Sequence, residues 1–454
     1  MISPARQAAF DILLRVESQQ AYSSELLHSG RTVALSPRDQ GLCMEIVMGV
    51  LRWRPRLDER IAAFSFTPFR KLDLEVLTAL RMGVYQLEFL QRVPARAAIN
   101  ESVELVRQSR KASAVALANA VLRKVPKSSN EVREQRRQGN LLPEGAATEP
   151  PDAEGLAAAF AHPRWLVERW WRNYGAEKTK AICRHGQRLP VTAFRLRDAA
   201  AEAELRNAGM ELLPGALLRH SRRVVAGDLT HTRACQEGRI VIQDEASQLV
   251  AALVGEGRRI LDVCAAPGGK TSALAGRNPR SEILALELHE HRAALLRRRL
   301  EGFPNVRVMA ADICALPVSG GFDRVLVDVP CSGTGTLARN PEIKWRLRPE
   351  DLPALQERQA AILSAALRHL APGGRLIYAS CSLEPEENEA VMERAVAQAP
   401  AAARLVDCRE ELRRLQREDE LAWPDVESLL CGPFLRTVPG VHPCDGFFAA
   451  VLEK

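Results

Sequence analysis

Along the first 125 residues apolar side chains recur every three or four positions, as in Ala8, Ile12, Leu13 and Val16, or Leu77, Leu80, Val84 and Leu87. That spacing places one apolar stripe on each of several helices. Ser36 followed by Pro37 reads as an N-cap with proline at the first helical position, opening a helix through Leu42–Val50. Two further helices are predicted over Ala98–Gln108 and Ser113–Lys124, so residues 1–126 read as an all-α bundle. The pattern fails over 127–154, where Ser128, Ser129, Asn130, Gly139, Pro143, Gly145, Pro150 and Pro151 replace apolar periodicity, and a flexible linker is expected. Residues 155–240 resume with a helix whose Trp165, Trp170, Trp171 and Tyr174 are spaced to bury one face, with base stacking by Trp170 and Trp171 as the alternative. Short strands such as Val191–Leu196 and a helix over Ala199–Asn207 then predict a small α+β subdomain.

From residue 241 onward period-two and short apolar runs alternate with helical stripes. Strands are predicted at Arg259–Val263, Glu282–Leu286, Val306–Ala310, Phe322–Asp328, Arg375–Ala379 and Phe447–Leu452, with helices at Glu290–Leu300 and Pro353–Leu370 among those between them. Such alternation implies a doubly wound, Rossmann-like α/β fold with a parallel sheet over 241–454. Ligands of these sheets sit at the carboxyl ends of the strands.

Charge adds a division of labour. The 454-residue chain carries +7 overall; residues 1–125 hold eighteen basic and twelve acidic side chains (+6), residues 126–255 are +3, and the remainder is −2. A basic front half suits a polyanion such as RNA, and Arg219, Arg222 and Arg223 give the α+β subdomain a basic edge. The N-terminus lacks a signal-peptide pattern and no apolar run approaches the ~18 residues of a membrane span, so a cytoplasmic protein without a membrane partner is expected. Ten cysteines form no C-x-x-C pair, which signals neither a metal site nor a disulfide framework.

The candidate chemistry lies at the strand ends. After the first strand comes Cys264-Ala265-Ala266-Pro267-Gly268-Gly269-Lys270-Thr271. No glycine stands five residues before the Gly-Lys pair, and no G-x-G-x-x-G occurs, so neither polyphosphate nor dinucleotide motifs apply. Small residues and two glycines instead suit a nucleoside bearing a charged amino-acid moiety, such as S-adenosylmethionine (SAM). Glu287 after the second strand is placed to accept from ribose hydroxyls, Asp312 after the third from an adenine amine, and Asp328 ends the fourth. Two cysteines follow consecutive strands, in Asp328-Val329-Pro330-Cys331-Ser332-Gly333-Thr334-Gly335 and Ala379-Ser380-Cys381-Ser382, and both are expected to face one cleft. A thiolate adding to carbon 6 of a pyrimidine turns carbon 5 into a nucleophile able to take a methyl group.

These three motifs resemble those of the RNA 5-methylcytosine methyltransferases. The front segments Arg6–Leu13, Arg38-Asp39, Val50-Leu51-Arg52, Ala98–Leu105 and Asn119–Arg123 resemble the NusB-type helical domain, which binds RNA. The resemblance spans essentially the whole chain. It implies that Cys381 is the nucleophile and Cys331 assists product release, and that residues 264–270, Glu287, Asp312 and Asp328 bind SAM, with Asp328 also near the cytosine. It further implies a monomer acting on small-subunit ribosomal RNA. Glu287 stands where the family often has Asp, and Val329 where Ala is common. Cys264 itself reads from its neighbours as a structural thiol, with no base beside it.

Overall fold

The computed structural model describes residues 2–28, 30–126, 128–129, 150–316, 321–398 and 403–454. The linker expected over 127–154 lies for the most part outside the described residues. The chain forms two compact units, Met1–Pro190 with Leu337–Leu347, and Val191–Thr336 with Arg348–Lys454. The tryptophan-bearing helix Arg164–Gln187 belongs to the first unit.

The first unit is helical. Pro4–Ser18, Pro37–Phe64, Leu74–Phe89, Ala95–Gln108 and Val115–Lys124 enclose one core of Ile46, Leu57, Leu80, Val84, Val106 and Leu122. Ser36 accepts from the Asp39 amide, so the N-cap expected there is formed. Leu74–Phe89 is buried on every side from Val76 to Phe89, and its polar side chains are correspondingly paired. Arg81 forks onto Asp58 at 2.6 and 2.8 Å, and Gln86 accepts from Arg6 at 2.6 Å.

Pro55 lies inside the long helix Pro37–Phe64. Proline has no N–H, so the carbonyl of Leu51, four residues back, is denied its helical donor. The inserted segment Leu337–Leu347 supplies one: Trp345 Nε1 donates to Leu51 O at 2.6 Å. Lys344 Nζ donates to the Arg52 and Ala161 carbonyls, each at 3.0 Å, and Glu342 accepts from both the amide and the hydroxyl of Ser23 at 2.9 Å. Burial, with the positive charge of Arg52, holds the Lys344 amine far below its usual value. Eleven residues from the C-terminal half of the chain are thus an integral part of the helical unit.

The second unit contains two sheets. Strands β1 (Thr192–Leu196), β2 (Glu211–Pro214), β3 (Ser221–Ala226) and β4 (Ile240–Ile242) form an antiparallel sheet in the order β2-β3-β1-β4. Its basic edge is largely committed within the fold, since Arg222 pairs with Glu202 at 2.8 Å and Arg219 with Asp419 at 2.6 Å.

The larger sheet carries β5 (Arg259–Asp262), β6 (Glu282–Glu287), β7 (Val306–Ala310), β8 (Phe322–Asp328), β9 (Leu370–Ser380), β10 (Arg404–Val406), β11 (Leu430–Cys431), β12 (Phe434–Thr437) and β13 (Phe447–Glu453). The order is β11-β12-β13-β9-β8-β5-β6-β7, with β10 also on β13. Strands β9, β8, β5, β6 and β7 are parallel, as the alternating pattern predicts, whereas β10 to β13 pair antiparallel, which it does not. The chain runs from β5 outward to β7 and then back to β8 on the other side of β5. The switch point, where such sheets open a crevice, is therefore between β5 and β8. Among the described residues no helix is long and apolar enough to cross a membrane.

Candidate active site

The switch point is where the cofactor loop lies. Strand β5 ends at Asp262, Ala265 N donates to Leu286 O of β6 at 2.8 Å, and the loop turns at Gly268, which has φ 99° and caps the helix Gly269–Arg277. A Cβ on Gly268 would also come within 2.7 Å of Leu296, so both backbone and space call for glycine there. Asp262 is buried and accepts from Thr271 Oγ1 at 2.7 Å, while its other oxygen has no partner among the described residues. Burial pushes its carboxyl up to about 7.

Glu287, at the end of β6, is 4% exposed and accepts from the His289 amide at 3.1 Å, with Arg292 3.6 Å away. Asp312 is exposed after β7 and accepts from the Cys314 amide at 2.9 Å. A bare, glycine-turned loop with carboxylates at successive strand ends fits a ligand that offers hydroxyl and amine donors. The acceptor left open on Asp262 is a further place for one. Cys264 lies half-buried in this loop, and desolvation, then the charges of Asp328, Asp262 and Glu287, push its thiol up.

Strands β8 and β9 are parallel neighbours, with Asp328 opposite Ala379. Their loops therefore leave the sheet side by side. Cys331 Sγ lies 2.9 Å from Cys381 Sγ, and the Cys381 amide donates to Cys331 Sγ at 3.3 Å. The two loops are zipped further by Gly335 N to Cys381 O at 2.9 Å and Leu383 N to Thr334 Oγ1 at 2.8 Å. A Cβ on Gly335 would stand 2.2 Å from the Gly446 carbonyl, so this junction tolerates only glycine.

The hydrogen bond to Cys381, then burial and the charges of Cys381, Glu387 and Asp328, raise the Cys331 thiol well above its ordinary value. Either sulfur can be the donor in the contact between the two thiols. Lys270 Nζ donates to Asp328 at 2.7 Å and sits 4.8 Å from the centre of the Phe447 ring. Burial opposes its charge, but Asp328, with Cys381 and Asp262, outweighs burial and keeps the ammonium protonated beside the thiols.

One residue in this cluster has no role in the sequence reading. Glu387 is fully buried and accepts from Ser332 N and Gln359 Nε2, each at 2.8 Å, and from the hydroxyls of Ser332 and Ser382. A single carboxylate thus ties the residue after each active-site cysteine. Its signal was present in the acidic stretch Glu384–Glu387 close behind Cys381, but nothing local distinguishes Glu387 from Glu386.

Residues 250–453 match the family model described as 16S rRNA methyltransferase RsmB/F, and residues 3–127 match the NusB family. Probable ribosomal RNA small subunit methyltransferase B of Bacillus subtilis is 31% identical over 99% of this chain and 98% of its own length. The chain belongs to the RsmB/F family of 16S rRNA methyltransferases. Ribosomal RNA small subunit methyltransferase B of Vibrio cholerae is 32% identical over 92% of this chain and 91% of its own. The crystal structure of PH0851 shares the fold over 100% of this chain and 99% of its own, at TM-score 0.78 and 23% identity. As a methyltransferase of the RsmB/F family, the protein uses SAM as methyl donor, a donor that the strand-end acids and bare loop fit.

Proposed function

We propose that this RsmB/F-family enzyme methylates carbon 5 of one cytosine in small-subunit ribosomal RNA, through a covalent bond between Cys381 and carbon 6, with Cys331 assisting release. The observation that carries this reading is the pair of thiols 2.9 Å apart on neighbouring strand ends, beside a protonated lysine. Methyl transfer to an amine or hydroxyl needs no thiol; transfer to pyrimidine carbon 5 needs one, because that carbon is not nucleophilic until carbon 6 carries an added group. Two thiols match two tasks, addition and resolution.

In this mechanism the Lys270 ammonium stabilises the Cys381 thiolate, which adds to carbon 6. Asp328, oriented by Lys270, accepts from the exocyclic amine of the cytosine. When bound, SAM supplies the methyl group to carbon 5; the residues for it are the 264–270 loop, Glu287, Asp312 and Asp328. The proton on carbon 5 must then pass to a base before the carbon–sulfur bond breaks and returns Cys381 as a thiolate, and the contact of Cys331 with the Cys381 sulfur supports its part in that release. The target base has to be out of the stack for attack at carbon 6, which favours an unpaired cytosine.

Two variants test it. Cys381→Ala is expected to abolish methyl transfer from radiolabelled SAM to small-subunit RNA, and retained transfer removes the nucleophile assignment. Cys331→Ala is expected to accumulate a protein–RNA adduct that survives denaturing electrophoresis and is absent from Cys381→Ala. Bisulfite sequencing of the product reports whether carbon 5 of a cytosine is the methylated atom.

A further inference from the structure

The helical unit contains a cavity of about 600 Å³, within the size range of small-molecule sites (about 300–1,000 Å³). Its walls include Trp165, Trp345 and Phe69, and its polar groups include Arg54, Asp58 and Glu59. Arg54 is already bound through both terminal nitrogens to Glu17, at 2.6 and 3.0 Å, and Asp58 is held by Arg81. Glu59 is exposed and has no ion pair among the described residues. No net positive charge is left inside to hold a phosphate. The site offers instead flat aromatic faces and one open carboxylate acceptor, which is the chemistry of a nucleobase with an exocyclic amine.

The loop that delivers Phe69 also displays Phe66, which is 92% exposed with the Lys124 ammonium 4.7 Å from its ring centre. Arg70 and Lys71 on the same loop are exposed. An exposed ring of this size, on a stretch of chain carrying a charge of +6, suits a flanking base with cations for its phosphate.

We propose that this cavity takes one unpaired, amine-bearing base of the substrate RNA, stacked against Trp165 and Trp345 with Glu59 accepting from the amine, while the adjoining base lies on Phe66. The proposal rests on RNA being the substrate and not on the chemistry at carbon 5. Its test is binding to the full chain without SAM, so failure of the carbon-5 mechanism leaves it standing. The probes are fluorescein-labelled hexacytidylate and hexauridylate, followed by anisotropy at low salt. Hexacytidylate is expected to bind more tightly than hexauridylate, which lacks the amine. Trp165→Ala is expected to weaken hexacytidylate binding about tenfold, and Glu59→Ala, an exposed change that the fold tolerates, to remove the preference over hexauridylate. Phe66→Ala is expected to weaken both. If Trp165→Ala and Glu59→Ala, with unchanged circular dichroism and melting, bind both probes as the parent does, the proposal is overturned. A protein side chain as the natural occupant would give that same null result on RNA.

Discussion

At the scale of single residues, Asp262 shows how burial is tolerated next to chemistry. Its carboxyl is pushed up to about 7, far above the ~3.9 of an unfolded aspartate, so the folded state favours the neutral form. The sign follows: the group's contribution to stability is complete at acid pH and is lost as pH rises through about 7. Asp262→Asn, permanently neutral and still able to accept from Thr271, keeps that contribution at all pH values. Urea unfolding without SAM should therefore show the variant gaining on the parent between pH 5 and pH 8, by on the order of 2–4 kcal/mol. No gain at pH 8 would mean that the buried charge is compensated in a way the Thr271 bond alone does not provide. The two candidate cysteines were legible as residues because each follows an apolar run at a strand end. How closely the two sulfurs approach was not, because that depends on a contact between positions 331 and 381.

At the scale of elements, the helix Pro37–Phe64 and the inserted segment depend on each other. Trp345→Phe keeps the bulk but removes the donor to Leu51 O, leaving a carbonyl that Pro55 already denies a helical partner. The expected loss is about 1–3 kcal/mol in unfolding free energy. In a Pro55→Ala background the new N–H can reach Leu51 O, and the same substitution should cost measurably less; a double-mutant cycle with no coupling would refute the pairing.

This element also marks how far a sequence can be read. Strands β7 and β8 fall on their predicted bounds, and β5 and β6 within a residue, because each is an apolar run closed by a charged or small residue. Strand β9 begins five residues earlier than its apolar run, through Pro372, Gly373 and Gly374, where propensity opposes a strand; Leu370 opposite Phe322 of β8, and backbone bonds of Gly373 and Gly374 with Lys454, supply the pairing. The antiparallel direction of β13 and the docking of Leu337–Leu347 on a helix nearly three hundred residues away have no local signature. Burial partners decided them.

At the scale of the whole molecule, each unit has its own core, yet the first is not a contiguous length of chain. Residues 1–190 expressed alone should melt at a lower temperature than the full chain, since the Leu51 carbonyl loses the Trp345 donor and the Arg52 carbonyl loses the Lys344 donor. A synthetic peptide of residues 337–347, added in trans, is expected to raise that temperature in a concentration-dependent way. A fragment indifferent to the peptide would show that the segment follows the helical unit without supporting it.

The same discontinuity reaches into how the protein is made. Translation delivers the helical bundle first, and at ~5–20 residues per second the ribosome needs on the order of ten seconds or more to proceed from residue 190 to residue 347. During that interval the proline-interrupted helix waits with the Leu51 carbonyl open for a segment not yet synthesised. The NusB-like half therefore completes itself only after the 264–271 loop and Cys331 have been synthesised.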